Sequence, residues 1–224
     1  MPIEDSVRLP ALQYIDAHLL DEAGVRAGFS FITDPELLDL IVLELKSARY
    51  IYRLMEMLDL RDTFSHPFCK FQIVQYAGVF EAAIEHLLFD RTYTSPKFQK
   101  KVEAAREELE RQSGLVKVSG LSARTSITYD GKPTVLAQLK QSRKSRINIP
   151  FEERLRACED LGLIDTKLAD EILEFYKKRN SVHLTAKILK SITVELSDTK
   201  RGFRRINAFC EYVKRGLARS GEPA

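Results

Sequence analysis

Apolar residues return along most of this chain every three or four positions, the repeat of helices that each bury one face. Leu12, Ile15, Leu19 and Leu20 share a stripe within residues 10–23, which Gly24 closes, and the glycine-containing stretch to Phe31 reads as irregular. Asp34-Pro35-Glu36 then combines a capping carboxylate, a first-turn proline and an acid near the positive end of the helix dipole. The helix it opens runs over 35–60, with Leu38, Ile41, Val42, Leu45, Ala48, Tyr52, Met55 and Leu58 on a wide apolar face. His66-Pro67 reads as a break before a second long helix over 68–90. That helix is apolar nearly all round, which belongs in the centre of a bundle or at a subunit interface.

Ser95-Pro96 opens a charged outer helix over 96–112, ended by Gly114. From 115 to 138 the period shortens towards two. Residues 125–129 and 134–136 flank the turn sequence Asp130-Gly131-Lys132-Pro133, which predicts two short strands. Helical spacing resumes with Phe151, Leu155, Ala157 and Cys158, and Gly162 ends that helix. Asp165 caps the next over 166–180; β-branched Ile192, Thr193 and Val194 weaken the helical pattern over 184–196. Asp198 opens a last helix over 199–217, followed by a polar tail expected to fray. The fold class predicted is all-α, a helical bundle with a small β-hairpin-containing insert. Its parts are an N-terminal helix and loop (1–30), a first helical part (31–113), a basic strand-containing insert (114–148) and a second helical part (149–224).

Composition narrows the function classes. Apolar residues at 44% and charged residues at 30% over 224 positions suit a folded globular chain with a real core. No stretch approaches the roughly 20 apolar residues that cross a bilayer. MPIEDSVRLP lacks the layout of a signal peptide, so no membrane association and a cytoplasmic location are expected. Cys69, Cys158 and Cys210 are far apart, with no CxxC pair and no Cys/His cluster at ligand spacing. Buried reduced thiols, no metal site and no cofactor are the expectation. No dinucleotide-binding, P-loop or nucleophile-elbow motif is present. His18, His66 and His86 have no acid or nucleophile suitably paired in sequence and read as structural.

Charge matters through its distribution, since the net value is only +3. Lys140, Arg143, Lys144 and Arg146 form one basic cluster without acids. Lys200, Arg201, Arg204 and Arg205 form another, and Lys214, Arg215 and Arg219 a third. Such clusters are either solvated helix faces or tracks for a nucleic-acid backbone.

The residues with most chemistry are Arg179-Asn180-Ser181-Val182-His183. On a continuous helix Arg179 and His183 share a face, with Asn180 close to it. A guanidinium can neutralise a phosphate and the charge of its transition state, and an imidazole can move the proton of a 2′-hydroxyl or a leaving oxygen. The plainer alternative makes His183 a cation at a helix C-terminus and Asn180 a left-handed helix end. Glu81, the one charge in the middle of the apolar helix, either faces water at a seam or orients a catalytic Arg or His.

RNSVHL, together with the helices IVQYAGVFEAAIEHLLF and LRACEDLGLIDTKLADEILEFYKKRN, resembles the HEPN superfamily, all-α proteins many of which are metal-independent endoribonucleases. The family usually places four to six residues between Arg and His; here there are three. The resemblance implies a homodimer with both motifs in one cleft, RNA as partner and a role in bacterial defence or a toxin–antitoxin system. It implies Arg179, Asn180, His183 and Glu81 as the catalytic set. Lys140, Arg143, Lys144, Arg146, Arg201, Arg204 and Arg205 are the RNA-binding candidates. The alternative is a non-catalytic HEPN-like module that binds RNA or a protein partner.

Overall fold

The computed structural model describes residues 4–117, 127–129, 132–134, 137–180 and 194–224. The fold is mostly helical. Its first helices differ from the pattern reading. Asp5–Ala17 (α1) carries Pro10 in its interior, and Glu22–Gly28 (α2) occupies the stretch expected to be irregular. The reason is Asp21, whose carboxylate accepts from the Ala23 and Gly24 amides at 3.2 and 3.0 Å and caps α2. Pro35–Met57 (α3) starts where expected, with Asp34 accepting from the Glu36 amide at 2.9 Å.

The largest correction concerns Pro67. Asp62–Glu85 (α4) runs straight through it and passes into a π-helical turn, His86–Asp90. Because the helix begins at Asp62, the missing proline N–H forfeits a single bond near the helix start, where the ladder is only beginning. The added turn before residue 68 makes α4 the longest central element. It packs against α3 on one side and, on the others, against Phe151–Asp160 (α6), Thr166–Asn180 (α7) and Leu196–Arg219 (α8). Ile73, Tyr76, Ala77, Val79, Phe80, Ala83, Ile84, Leu87 and Leu88 are all buried there. The Phe80 ring stacks on Phe175 of α7 with centroids 6.4 Å apart and meets Phe209 of α8 edge-on at 5.5 Å. Of the two places open to an all-round apolar helix, α4 takes the bundle centre.

Pro96–Glu110 (α5) is capped by Ser95 and stops two residues early, because Arg111 already begins a strand. Arg111–Lys117 (β1) pairs antiparallel with Ala137–Arg143 (β4), Arg111 opposite Arg143 and Lys117 opposite Ala137. Ile127–Tyr129 (β2) pairs with Lys132–Thr134 (β3). By sequence pattern alone, residues 111–112 belong to the end of a helix and β4 to a basic run. Helix α6 keeps its predicted bounds and closes at Gly162 (φ 73°), and α7 starts where predicted, capped by Asp165, which accepts from the Leu168 amide at 2.8 Å. The expected helix over 184–196 falls mostly on residues outside those described.

The polar tail after α8 does not fray. Glu222 is buried and accepts from the Thr94 amide at 2.8 Å, the Thr94 hydroxyl at 3.0 Å and the Ser95 amide at 2.6 Å. Buried Arg91 donates to the Phe31 carbonyl at 2.6 Å and also to the Pro223 carbonyl. Glu222 satisfies the amides at the start of α5 and Arg91 satisfies carbonyls of the tail and of Phe31, so the tail is held.

Candidate functional site

Next to Phe80 on α4, Glu81 lies at the rim of the core with its side chain 24% exposed. Three helices meet at this rim. Arg179, next to last in α7, donates through Nη1 to Glu81. Arg154 of α6 places Nη1 2.9 Å from Glu85 Oε2 and Nη2 3.5 Å from Glu81 Oε1. Two carboxylates one turn apart on α4 therefore face two guanidiniums from α6 and α7, and the cluster is charge-balanced. Balance is needed because Arg154 is only 8% exposed, and a charge withdrawn from water without partners is strongly destabilising.

An aromatic floor lies against both cations. The rings of Phe151 and Tyr176 stack at 4.3 Å. The Arg154 guanidinium sits 6.0 Å from the Phe151 centroid and that of Arg179 5.4 Å from Tyr176. The ring faces add cation–π attraction and limit the directions in which the guanidiniums can swing. Arg179 remains 33% exposed, so it is the member of the cluster that an incoming anion can reach. One bond to Glu81 leaves other donors of its planar fork available.

The structure thus brings together Glu81 and Arg179, two of the four sequence-derived catalytic candidates. Asn180 is exposed at the end of α7, and His183 lies outside the described residues. The residue missed in sequence is Arg154. Its signal was a cation on the apolar stripe of α6, three after Phe151 and four before Cys158, where a solvated arginine does not belong.

The basic candidates divide. Lys140 and Arg143 lie on β4, with side chains outside the described residues. Lys144 pairs with Glu153 at 3.2 Å. Arg146 pairs with Asp90 at 2.7 Å and lies 4.8 Å from the centroid of the Phe89 ring. Arg201 donates to Glu174 at 2.6 Å and Asp198 at 3.2 Å, and Arg205 to Glu171 at 2.8 Å. These two belong to an ion-pair ladder joining α8 to α7, whereas Arg204 is exposed.

Other titratable groups are structural. His86 is buried and its Nε2 accepts from the Thr33 amide at 3.1 Å, which fixes a neutral ring. Burial holds its pKa below the usual histidine value, the charge of Arg91 adding to this and those of Asp90 and Asp34 opposing it. The three cysteines are free and buried; burial pushes the Cys158 and Cys210 thiols up to about 12, far from nucleophilic range. Among the described residues no group of three or more His, Cys, Asp or Glu is placed to hold a metal ion, and no helix is long and apolar enough to cross a membrane. The chain matches no protein-family model, no curated protein and no solved structure.

Proposed function

We propose that this chain is a metal-independent endoribonuclease of the HEPN type, acting on RNA as a homodimer. The observation that carries the reading is the ion pair between Glu81 and Arg179, which aims the guanidinium of the RNSVHL motif at an accessible rim of the bundle. In the proposed reaction a 2′-hydroxyl attacks the adjacent phosphorus and the bond to the 5′-oxygen breaks. The products are a 2′,3′-cyclic phosphate and a 5′-hydroxyl. His183 moves the proton, Arg179 neutralises charge on the non-bridging oxygens, and Asn180 positions the substrate. Glu81 holds Arg179 in register, and Arg154 holds Glu81.

A second observation supports the dimer. Phe64, Phe71 and Val74 on α4 are 75%, 64% and 36% exposed, and Gly78 has open space where a side chain would stand. With Glu81 they follow one another at steps of seven, three, four and three residues, a single helix face. A large apolar stripe left in water is a partner site. A second copy laid along it buries the stripe, which ends at Glu81.

The alternative, a non-catalytic module that binds RNA or a protein partner, draws on the short Arg–His spacing and on the pairing of Lys144, Arg146, Arg201 and Arg205 within the chain. Incubation of the full chain with structured and single-stranded RNA in EDTA decides between them. The nuclease reading expects cuts ending in cyclic phosphate, reduced about 100-fold or more in Arg179→Ala and His183→Ala. RNA left intact by the wild-type chain, or cuts unchanged in both variants, sinks it.

A further inference from the structure

On the opposite side of α4 from Arg154, a hollow of about 270 Å³ opens between α3, α4 and α8. It is lined by Arg49, Tyr52, Tyr76, Thr199, Lys200, Phe203 and Arg204. Three of these seven are cations and none is an acid.

None of the three cations has a carboxylate partner among the described residues, unlike Arg201 and Arg205 beside them. Lys200 and Arg204 stand four residues apart on α8, the spacing at which like charges repel. Arg49 is held between rings, its guanidinium carbon 5.0 Å from the Tyr52 centroid and 5.3 Å from that of Phe203. Glu56, whose charge acts on Arg49, is already committed to Arg53 and to the Tyr14 hydroxyl, which donates to it at 3.0 Å. Burial and the neighbouring Arg53 accordingly lower the pKa of Arg49. The site is also shaped by backbone. A Cβ on Gly202 would stand 2.8 Å from the buried Tyr76 ring, so glycine lets α8 approach closely enough for Tyr76 to wall the hollow.

We infer that this hollow binds a small organic phosphate monoester, with its phosphoryl group on Arg49, Lys200 and Arg204 and its carbon skeleton against Tyr52 and Phe203. Three converging cations match a phosphate monoester, which carries about −1.5 to −2 charges at neutral pH, better than they match a carboxylate. Planar guanidiniums bind phosphate oxygens two at a time, and Lys200 adds a point charge. The aromatic walls favour an organic ester over the inorganic ion. The volume, near the lower end of ligand pockets, matches a small ligand. This site is independent of the nuclease reading.

The test is titration calorimetry on the full chain with phenyl phosphate as probe, and with inorganic phosphate and phenol as its two halves. Saturable one-to-one binding of phenyl phosphate, tighter than either half, is expected. The exposed pair Lys200→Gln/Arg204→Gln should weaken it about tenfold or more, while Lys97→Gln/Lys100→Gln, which removes the same charge from α5, leaves it within about twofold. Absence of saturable binding overturns the inference, as does equal weakening by the two pairs, which would mean bulk charge only. A single-stranded oligonucleotide without terminal phosphates distinguishes a backbone track. If it binds through Lys200 and Arg204 while phenyl phosphate does not bind, the monoester assignment is wrong.

Discussion

Two clusters of arginine flank α4, and they differ in what answers their charge. At the rim formed with α6 and α7, Arg154 and Arg179 meet Glu81 and Glu85, and each guanidinium is ion-paired. In the hollow formed with α3 and α8, Arg49 lies over aromatic rings, and Arg49, Lys200 and Arg204 line one cavity with no carboxylate partner among the described residues. The first arrangement is complete in the folded chain, and its pairs fix a geometry that chemistry can use. The second is incomplete without an anion. Paired charge contributes to positioning, whereas convergent unpaired charge weakens folding slightly and is relieved when an anion binds.

Stability measurements can break this comparison. Arg154→Ala leaves Glu85 without its cation, leaves Glu81 with Arg179 alone and removes a buried side chain. It should lower the unfolding free energy by about 3 kcal/mol in urea titration, and a loss near zero would mean that the rim cluster is ornamental. Gly202→Ala drives a methyl into the Tyr76 ring and should lose about 1–3 kcal/mol by overpacking, read from the same midpoint shift.

Acid tests the frame that both regions share. His86, at the end of α4, is neutral when folded, with a pKa held below the unfolded value of about 6.5. The unfolded chain therefore takes up the proton first. The contribution of His86 is complete above about pH 6.5 and is lost as pH falls towards the folded pKa, at no more than about 1.4 kcal/mol per pH unit. Thermal unfolding followed between neutral and mildly acidic pH should show this slope, and His86→Gln should flatten it. The smallest effect is expected at the hollow: Lys200→Gln/Arg204→Gln should change stability by less than about 0.5 kcal/mol, with any change in the direction of gain. A loss as large as that of Arg154→Ala would mean that these cations have partners in the fold and would erase the contrast.

Much of the helical frame was legible in sequence because its signals are local. Asp34, Ser95 and Asp165 cap the helices they precede, and α6 keeps its predicted bounds. The sequence also singled out Arg179 and Glu81, one by its neighbours and the other as a lone charge on an apolar helix. Their contact was beyond it, because they lie 98 residues apart and only the packing of α7 on α4 joins them. Arg154, Arg49 and Glu222 were missed for the same reason. In a linear pattern each reads as one more charge, and its meaning depends on a partner, or on the lack of one, supplied by another helix. Pro67 shows the converse. Read locally it is a break, but α4 begins before it, and burial between α3, α6, α7 and α8 outweighs the loss of one early hydrogen bond. Periodicity and caps therefore determined which segments become helices, since those energies are set within a few residues. Which charges are paired, and which converge on a hollow without a partner among the described residues, was decided by tertiary packing, because electrostatic energy depends on distance and burial rather than on position along the chain.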